Sequence, residues 1–521
     1  MNTIYTIQKS VVARKRGSLL GRSLFALFGP LTERYQRSGS FKRSFSACLL
    51  VAIFLLLGNS AAYAVLKTST GSGSWTTAAT WSPSGVPAAG DDVVILTGHT
   101  VTLPTSGTFP ASGSYGSLTL DGTLSRGTRS MTFGSLTGSG TIASTGTTIG
   151  GFNIGSDNTS TTFAGIFTGS IGSGVAFNKY GTGTLTLTGA SNYTGAGTSY
   201  IFAGTLRLGA HECLPNSAKL RLENGGSATF DLNGYNETIA VLHAPNTVEY
   251  LSDAVVTNSS VNLSTLTLSL APSGVALGEC YGTISGNLNL VVGSSTAGTF
   301  AYMQLRGNNT YTGTTTVVGN GQLQISCLDP EVDGCTASLA SSQVTIDGAG
   351  AKMTFLQPTT LTCNLSILNG GIAELYQPTT CYSLTLDGVA QPDGTTYGST
   401  SSNANNQDDT HFSDIGGGAL TVCSPPSSPS VGSNSPICAG TDLNLTCSAA
   451  SGTTPFTYSW NGPNGFSSTD QNPTITAATT AATGTYYVTI TNSCGSINTS
   501  TIVTVSQPAM PTLACYETAS F

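Results

Sequence analysis

Charge is what this sequence has least of: Asp, Glu, Lys and Arg together make up 8% of its 521 residues. Of the 18 Lys and Arg, nine stand before residue 44 and none follows Lys352. Beyond residue 64 that leaves nine basic against 24 acidic side chains, a net charge of about −15. Phosphate backbones and anionic lipid surfaces both need a basic partner, so nucleic-acid binding and direct adhesion to acidic membranes are disfavoured. Amphipathic helical patterns of useful length are missing as well. Histidine is scarce, at positions 99, 211, 243 and 411, with no metal-ligand spacing among them and no Cys-x-x-Cys pair in the chain. No G-x-S-x-G, phosphate-binding loop or H-E-x-x-H occurs. The sequence therefore predicts a non-enzyme with no catalytic, cofactor-binding or metal-binding residue.

What the chain does contain is glycine, at 64 positions, together with abundant Thr, Val, Ile and Tyr. Disordered chains are charge-rich and poor in β-branched residues, so this composition predicts a folded, all-β protein. The stretch "KYGTGTLTLTGASNYTGAGT", residues 179–198, shows the design. Leu185 and Leu187 alternate with threonines that tolerate water, and Gly and Asn mark the turns. "LTGASNYTG" from Leu187 matches "LRGNNTYTG" from Leu305, with Leu187, Gly189, Tyr193 and Gly195 aligning to Leu305, Gly307, Tyr311 and Gly313. The same alternation recurs in "YGSLTLDGTL" from Tyr115, "STLTLSL" from Ser264 and "CYSLTLDGVA" from Cys381. A repeated strand-turn-strand unit favours a solenoid, and residues 65–422 are read as a right-handed parallel β-helix.

The basic head leads into "ACLLVAIFLLLG", residues 47–58, and then "NSAAYA". That order of charged region, apolar region and A-x-A site predicts a secretory signal over residues 1–64 with cleavage after Ala64. Its apolar run is shorter than the ~20 residues a membrane span needs. Export makes disulfides available to the eleven cysteines that remain after Cys48. Cys327 and Cys335 flank "DPEVDG" and are expected to close a surface loop, in which a structural Ca²⁺ is the one cation site to consider.

After a Pro/Ser linker, 423–434, the pattern becomes that of a small sandwich over residues 435–506. "LNLTC" from Leu443 and "GTYYVTIT" from Gly484 alternate, and Trp460 and Tyr486 fit the buried Trp of a middle strand and the Tyr of a late strand in an Ig-like core. Val488 stands where an antibody domain places its late cysteine, which leaves Cys447 without an obvious partner. Exposed tyrosines in the Asn-Tyr-Thr-Gly turns would stack on sugar rings, which makes Tyr193 and Tyr311 the candidate glycan contacts. Packing of those tyrosines over a neighbouring coil is the alternative.

Residues 178–209, "NKYGTGTLTLTGASNYTGAGTSYIFAGTLRLG", resemble the autotransporter-associated β-strand repeat of bacterial secreted proteins, and a second, irregular copy falls at about 298–326. Residues 73–103, with Trp75, Trp81, Pro87, Asp91, Asp92 and His99, are similar to the N-terminal cap-like segment of such proteins, and 391–422 to the way their β-helices end. Residues 431–506 resemble the Ig-like and PKD-like repeats of large bacterial surface proteins. That second resemblance implies a Cys438 to Cys494 disulfide. It also makes residues 507–521 the start of a further repeat, and the chain is expected to be a fragment. The expected function is a secreted or cell-surface stalk or adhesin meeting glycan, matrix or neighbouring cells. Polysaccharide lyase or glycosidase activity and a passive spacer role are the alternatives.

Overall fold

The computed structural model describes residues 64–507 apart from 105–113, 147–149, 224, 246–252, 270–276, 295–300, 327–337 and 340. The expected signal segment, Cys327, Cys335, the DPEVDG loop and the last repeat lie outside the described residues. The protein is all-β: besides strands, its described residues form only three-residue 3₁₀ turns such as Ala78–Thr80. No helix is long and apolar enough to cross a membrane.

From Leu66 to Leu375 the chain keeps returning to one long sheet of fifteen strands, which pair in parallel except at its first edge. Between and after these visits it lays strands into other sheets: a parallel far sheet of six strands in the first part, a parallel medial sheet of six in the middle, and a far sheet of eleven in the last part that is parallel except among its last strands. Side-chain alternation explains why each strand sits where it does. In the medial sheet Leu185, Leu206, Phe230, Val256 and Ile284 are paired in register, and each is at most 1% exposed. Burial of such a column contributes roughly 2 kcal/mol per side chain. The intervening residues of the later far sheet, Thr267, Val291, Thr316, Thr345, Ser366 and Thr385, form the matching outer column. Threonine suits that place because its branched body fills the pleat while its hydroxyl meets water.

The two copies of the repeat are not placed alike. Leu187 ends a strand of the medial sheet, Thr184–Leu187, whereas Leu305 ends a strand of the long sheet, Ala301–Leu305. What they share is the corner leading into a far-sheet strand. Gly189 and Gly307 stand there because a Cβ would come within 2.2 and 2.1 Å of a carbonyl oxygen, that of Gly165 and of Gly282 respectively.

Both ends of the long stack are covered. Trp81–Ser82 runs antiparallel to Leu66–Ser69 and closes the first edge, and Thr396–Gly398 runs antiparallel to Leu420–Val422 near the last. Covered edges deny a second chain a template for pairing. In the first turns the interior is aromatic: Trp75 meets Trp81 and Tyr115 with ring centres 5.0 and 5.2 Å apart, and Phe133 meets Phe152 at 5.6 Å.

The Pro/Ser stretch does not act as a free linker. Ser430–Ser433 pairs antiparallel with Leu443–Ser448 and is the first strand of the sandwich, which therefore begins before residue 435. Opposite lies a four-stranded sheet in which Trp460 pairs with Val488. Trp460 and Tyr486 are buried at 1% and 0% exposure, as the sequence predicts. The Tyr486 hydroxyl donates to the Ala482 carbonyl at 2.9 Å, a corner that pins the turn entering Gly484–Asn492. Tyr486→Phe keeps the ring and leaves that carbonyl unmet, so denaturant titration of the variant should show a loss of about 1–2 kcal/mol.

The implied Cys438 to Cys494 disulfide does not form. Cys494 sits at the tip of the Gly484–Val503 hairpin, whereas Cys438 is exposed and pairs beside Val505–Ser506, past the end of the nine-residue strand Gly495–Val503. That strand alone separates them by roughly 30 Å. Cys494 bonds instead to Cys423, and this is the disulfide among the described residues. Cys447 is buried without a bridge.

Candidate binding face

The two candidate glycan contacts face inward. Tyr193 is 3% exposed and Tyr311 is 0% exposed. Burial pushes both phenols above their ordinary range. The Tyr311 hydroxyl lies 2.6 Å from Thr315 Oγ1, which lies 2.6 Å from Ser341 Oγ, a buried hydroxyl chain linking neighbouring coils. The physical reason is the corner itself: the ring fills the bend between two sheets, and the solvent-facing role goes to Asn192 and Thr194 instead.

Polar chemistry of a different kind lies on the outer face of the long sheet. Asn153 pairs with Asn178, Asn178 with Tyr200, Tyr200 with Arg221, and Arg221 with His243. The column continues through Glu279, Gln304, Gln324, Thr354 and Glu374. Ten adjacent strands thus line up polar side chains, of which Asn178, Gln324 and Glu374 are 9% exposed or less and the others half-buried, where the outer column of the later far sheet presents Thr, Ser and Val. At ~4.8 Å per strand the column is roughly 43 Å long.

Its members hold one another in place. Asn178 Nδ2 donates to Asn153 Oδ1 at 2.8 Å, and Gln304 Nε2 donates to Gln324 Oε1 at 2.8 Å. Thr354 Oγ1 donates to Glu374 at 2.8 Å, and Arg221 forms an ion pair of 2.6 Å with Glu223. Aromatic rings run alongside: Tyr180 stacks on Phe202 at 4.5 Å and 6°, and Tyr200 on Phe202 at 5.6 Å. Farther along, the Arg306 guanidinium lies 5.1 Å from the centre of the Tyr281 ring. His243 is held below its ordinary range by burial, then by Arg221, with Glu279 opposing. Lys219, Arg221, Arg306 and Lys352, four of the nine cations beyond residue 64, lie here with Glu223, Glu279 and Glu374. Sequence reading missed this face. The signal was present in "KLRLE" and "YMQLR", where charged and amide residues occupy the alternate positions that threonine fills elsewhere.

Lys67, Arg126 and Lys179 turn inward instead. Lys179 occupies the interior column between Ile154 and Ile201 and is 1% exposed. Its ammonium donates to the carbonyls of Tyr180, Gly181 and Ala203 at 2.6, 2.9 and 3.2 Å. Burial lowers its pKa to about 8, against the ordinary 10.5. A group depressed in the folded state takes up protons in the unfolded chain first, so stability rises as pH climbs from about 8 to 10.5. The difference in melting temperature between the wild type and Lys179→Met should show that rise, and a pH-independent difference would refute it.

Asp91, Asp92 and His99, near the start of the stack, hold the local chain. Asp91 accepts from the amides of Val65 and Ala88, and Asp92 from the amide and hydroxyl of Ser117. His99 Nδ1 bonds Ser69 Oγ at 2.8 Å. Among the described residues no group of three His, Cys, Asp or Glu is placed to hold a metal ion.

No family model matches this chain, and no curated protein matches it. Among solved structures, the amphioxus IgVJ-C2 molecule is similar at 29% identity over 16% of this chain and 47% of that one, with a TM-score of 0.15. Dpr2 Ig1-Ig2 in complex with DIP-Theta Ig1-Ig3 is similar at 22% identity over 17% of this chain and 34% of that one, with a TM-score of 0.13. Both neighbours are Ig-domain proteins. The chain thus spans about half and about a third of the length of these structures.

Proposed function

We propose that the chain is an exported, non-enzymatic surface protein. Its residues 65–422 form a right-handed parallel β-helix of autotransporter-associated repeats that serves as a stalk and binding surface, carrying an Ig-like module at its end. The observation that carries this reading is the parallel ladder of the long sheet, which runs from Leu66–Ser69 to Ile372–Leu375. At ~4.8 Å per strand a stack of this kind is a rod of roughly 65 Å that buries one coil against the next. Stability then grows with length and needs few charges. The Cys423 to Cys494 bridge supports a destination outside the reducing cytoplasm. The ligand class is a glycan, matrix or cell-surface partner.

The test is retention of the purified chain on a panel of polysaccharides, matrix proteins and intact cells, with release of new sugar ends recorded at the same time. Retention without cleavage is the expected result. New sugar ends would replace this reading by a polysaccharide-cleaving one, and no retention on any surface by a passive spacer.

A further inference from the structure

We propose that the outer face of the long sheet between Asn153 and Glu374 binds an extended, uncharged polysaccharide chain lying along the stack. This rests on the surface-binding reading above and names the site and the ligand class within it.

Three observations select the occupant. The first is shape and chemistry: planar hydrogen-bonding groups repeat at the strand spacing in a single file. Amides, carboxylates, guanidinium and imidazole each offer paired donors or acceptors in a plane, which suits the neighbouring hydroxyls of a sugar ring. A linear ligand lying along the file meets a polar side chain at each strand step, though not the same one twice in most places.

The second is charge. Beyond residue 64 the chain carries a net charge of about −15, yet this face carries four cations beside three carboxylates, two of them in ion pairs. It is therefore nearly neutral, and a polymer without charge meets no strong field there. An anionic polymer would need to displace Glu223 from Arg221 and Glu374 from Lys352, whose ion pairs measure 2.6 and 3.5 Å.

The third is the distribution of apolar surface. The exposed aliphatic side chains Val261, Leu263, Val389 and Ile502 lie elsewhere, and only Ile415, in the loop that meets Ala373 and Leu375, borders one end, so this face lacks the broad apolar core of a protein interface. Its apolar surface is aromatic instead. Tyr376, 39% exposed, comes directly after the last strand of the long sheet, Ile372–Leu375, and Tyr180, Tyr200 and Phe202 form a partly exposed stack towards the other end. The edges of the stacked rings and the free face of Tyr376 are the apolar surface a sugar ring covers.

The experiment compares the full chain with Tyr200→Ala, Gln304→Ala and their combination, each checked for an unchanged thermal transition. Thr186→Ala and Thr345→Ala, on the medial and far sheets, serve as controls. Binding is measured to a linear β-glucan, a mannan and a dextran, to polygalacturonate, and to collagen and fibronectin, at low and high salt. The expected result is binding to at least one neutral polysaccharide, insensitive to salt, weakened at least tenfold in the double variant and unchanged in the controls. Equal binding by the double variant would overturn the assigned face while leaving a surface-binding protein. Salt-labile binding to polygalacturonate alone, or binding to matrix protein alone, would overturn the ligand class in the same way. Binding to none of the probes would remove the inference together with the reading beneath it.

Discussion

Replacing Arg126 with methionine is expected to destabilise the N-terminal half of the stack by about 4 kcal/mol or more, because three backbone carbonyls lose their donor at once. Arg126 is fully buried. Its Nε donates to Ser144 Oγ at 2.7 Å, Nη1 to the Gly150 carbonyl at 2.8 Å, and Nη2 to the carbonyls of Val175 and Ala176 at 2.7 and 3.1 Å. The guanidinium carbon also lies 5.7 Å from the centre of the Phe152 ring. One side chain thus ties its own strand, Thr123–Gly127, to the next strand of the far sheet and to the loops of later coils. Burial lowers its pKa to about 10, so the charge persists at neutral pH. Lysine has one ammonium where arginine has a planar fork, and cannot meet acceptors spread over four residues. Arg126→Lys should therefore lose most of the same stability. Urea unfolding followed by the fluorescence of the buried Trp75 and Trp81 measures both variants. A loss under about 1 kcal/mol in Arg126→Met would show that the carbonyls find other donors.

Arg126 also marks the limit of what the sequence made legible. Alternation of Leu with Thr is enough to predict strands, their buried side and their stacking, because a period of two assigns each residue to a face. In the strand "TLSRG" that rule points Arg126 inward, in line with Leu124, and nothing local says what would satisfy it. Its acceptors come from residues up to fifty positions away. Lys179 poses the same problem in "NKYG". The expected sugar-stacking tyrosines failed for a related reason: whether a turn residue points in or out depends on which sheets the corner joins, and Tyr193 and Tyr311 both fill the bend. The polar file on the long sheet escaped notice because its members are 20 to 36 residues apart in sequence and only the register unites them.

The sandwich shows the opposite balance. Trp460 and Tyr486 were legible because an Ig-like core imposes a large aromatic on a middle strand and a tyrosine on a late one, whatever the surroundings. The cysteine pairing was not, since partner choice depends on which tips meet, and Cys494 meets a segment from outside the sandwich. The Pro/Ser stretch is no spacer for two reasons: the pairing of Ser430–Ser433 with Leu443–Ser448, and at its start the contact of Cys423 with Cys494.

Breaking that contact is the second large effect. Cys423 follows the last strand of the stack and its amide donates to the Cys381 carbonyl, while the bridge to Cys494 closes a loop of 71 residues around nearly the whole sandwich. On the chain-entropy account a loop of that size stabilises by roughly 4 kcal/mol. Hydrogen bonds reinforce the joint: Asn492 Nδ2 donates to the carbonyls of Ser424 and Thr453 at 2.7 and 2.8 Å, and Ser424 Oγ donates to the Tyr382 carbonyl at 2.7 Å. Those bonds survive loss of the bridge in the folded state, so the effect of Cys423→Ser with Cys494→Ser falls chiefly on the unfolded chain. Hydrogen exchange of the Gly484–Val503 hairpin should then quicken, by up to about a thousandfold if the full 4 kcal/mol is lost and exchange requires global opening of the sandwich. Reductant should do the same to the wild type and leave the double variant unchanged. Equal protection in oxidised and reduced wild type would mean that the asparagine clamp and the paired strand Ser430–Ser433 hold the sandwich without help, and the bridge would then have no share in its stability.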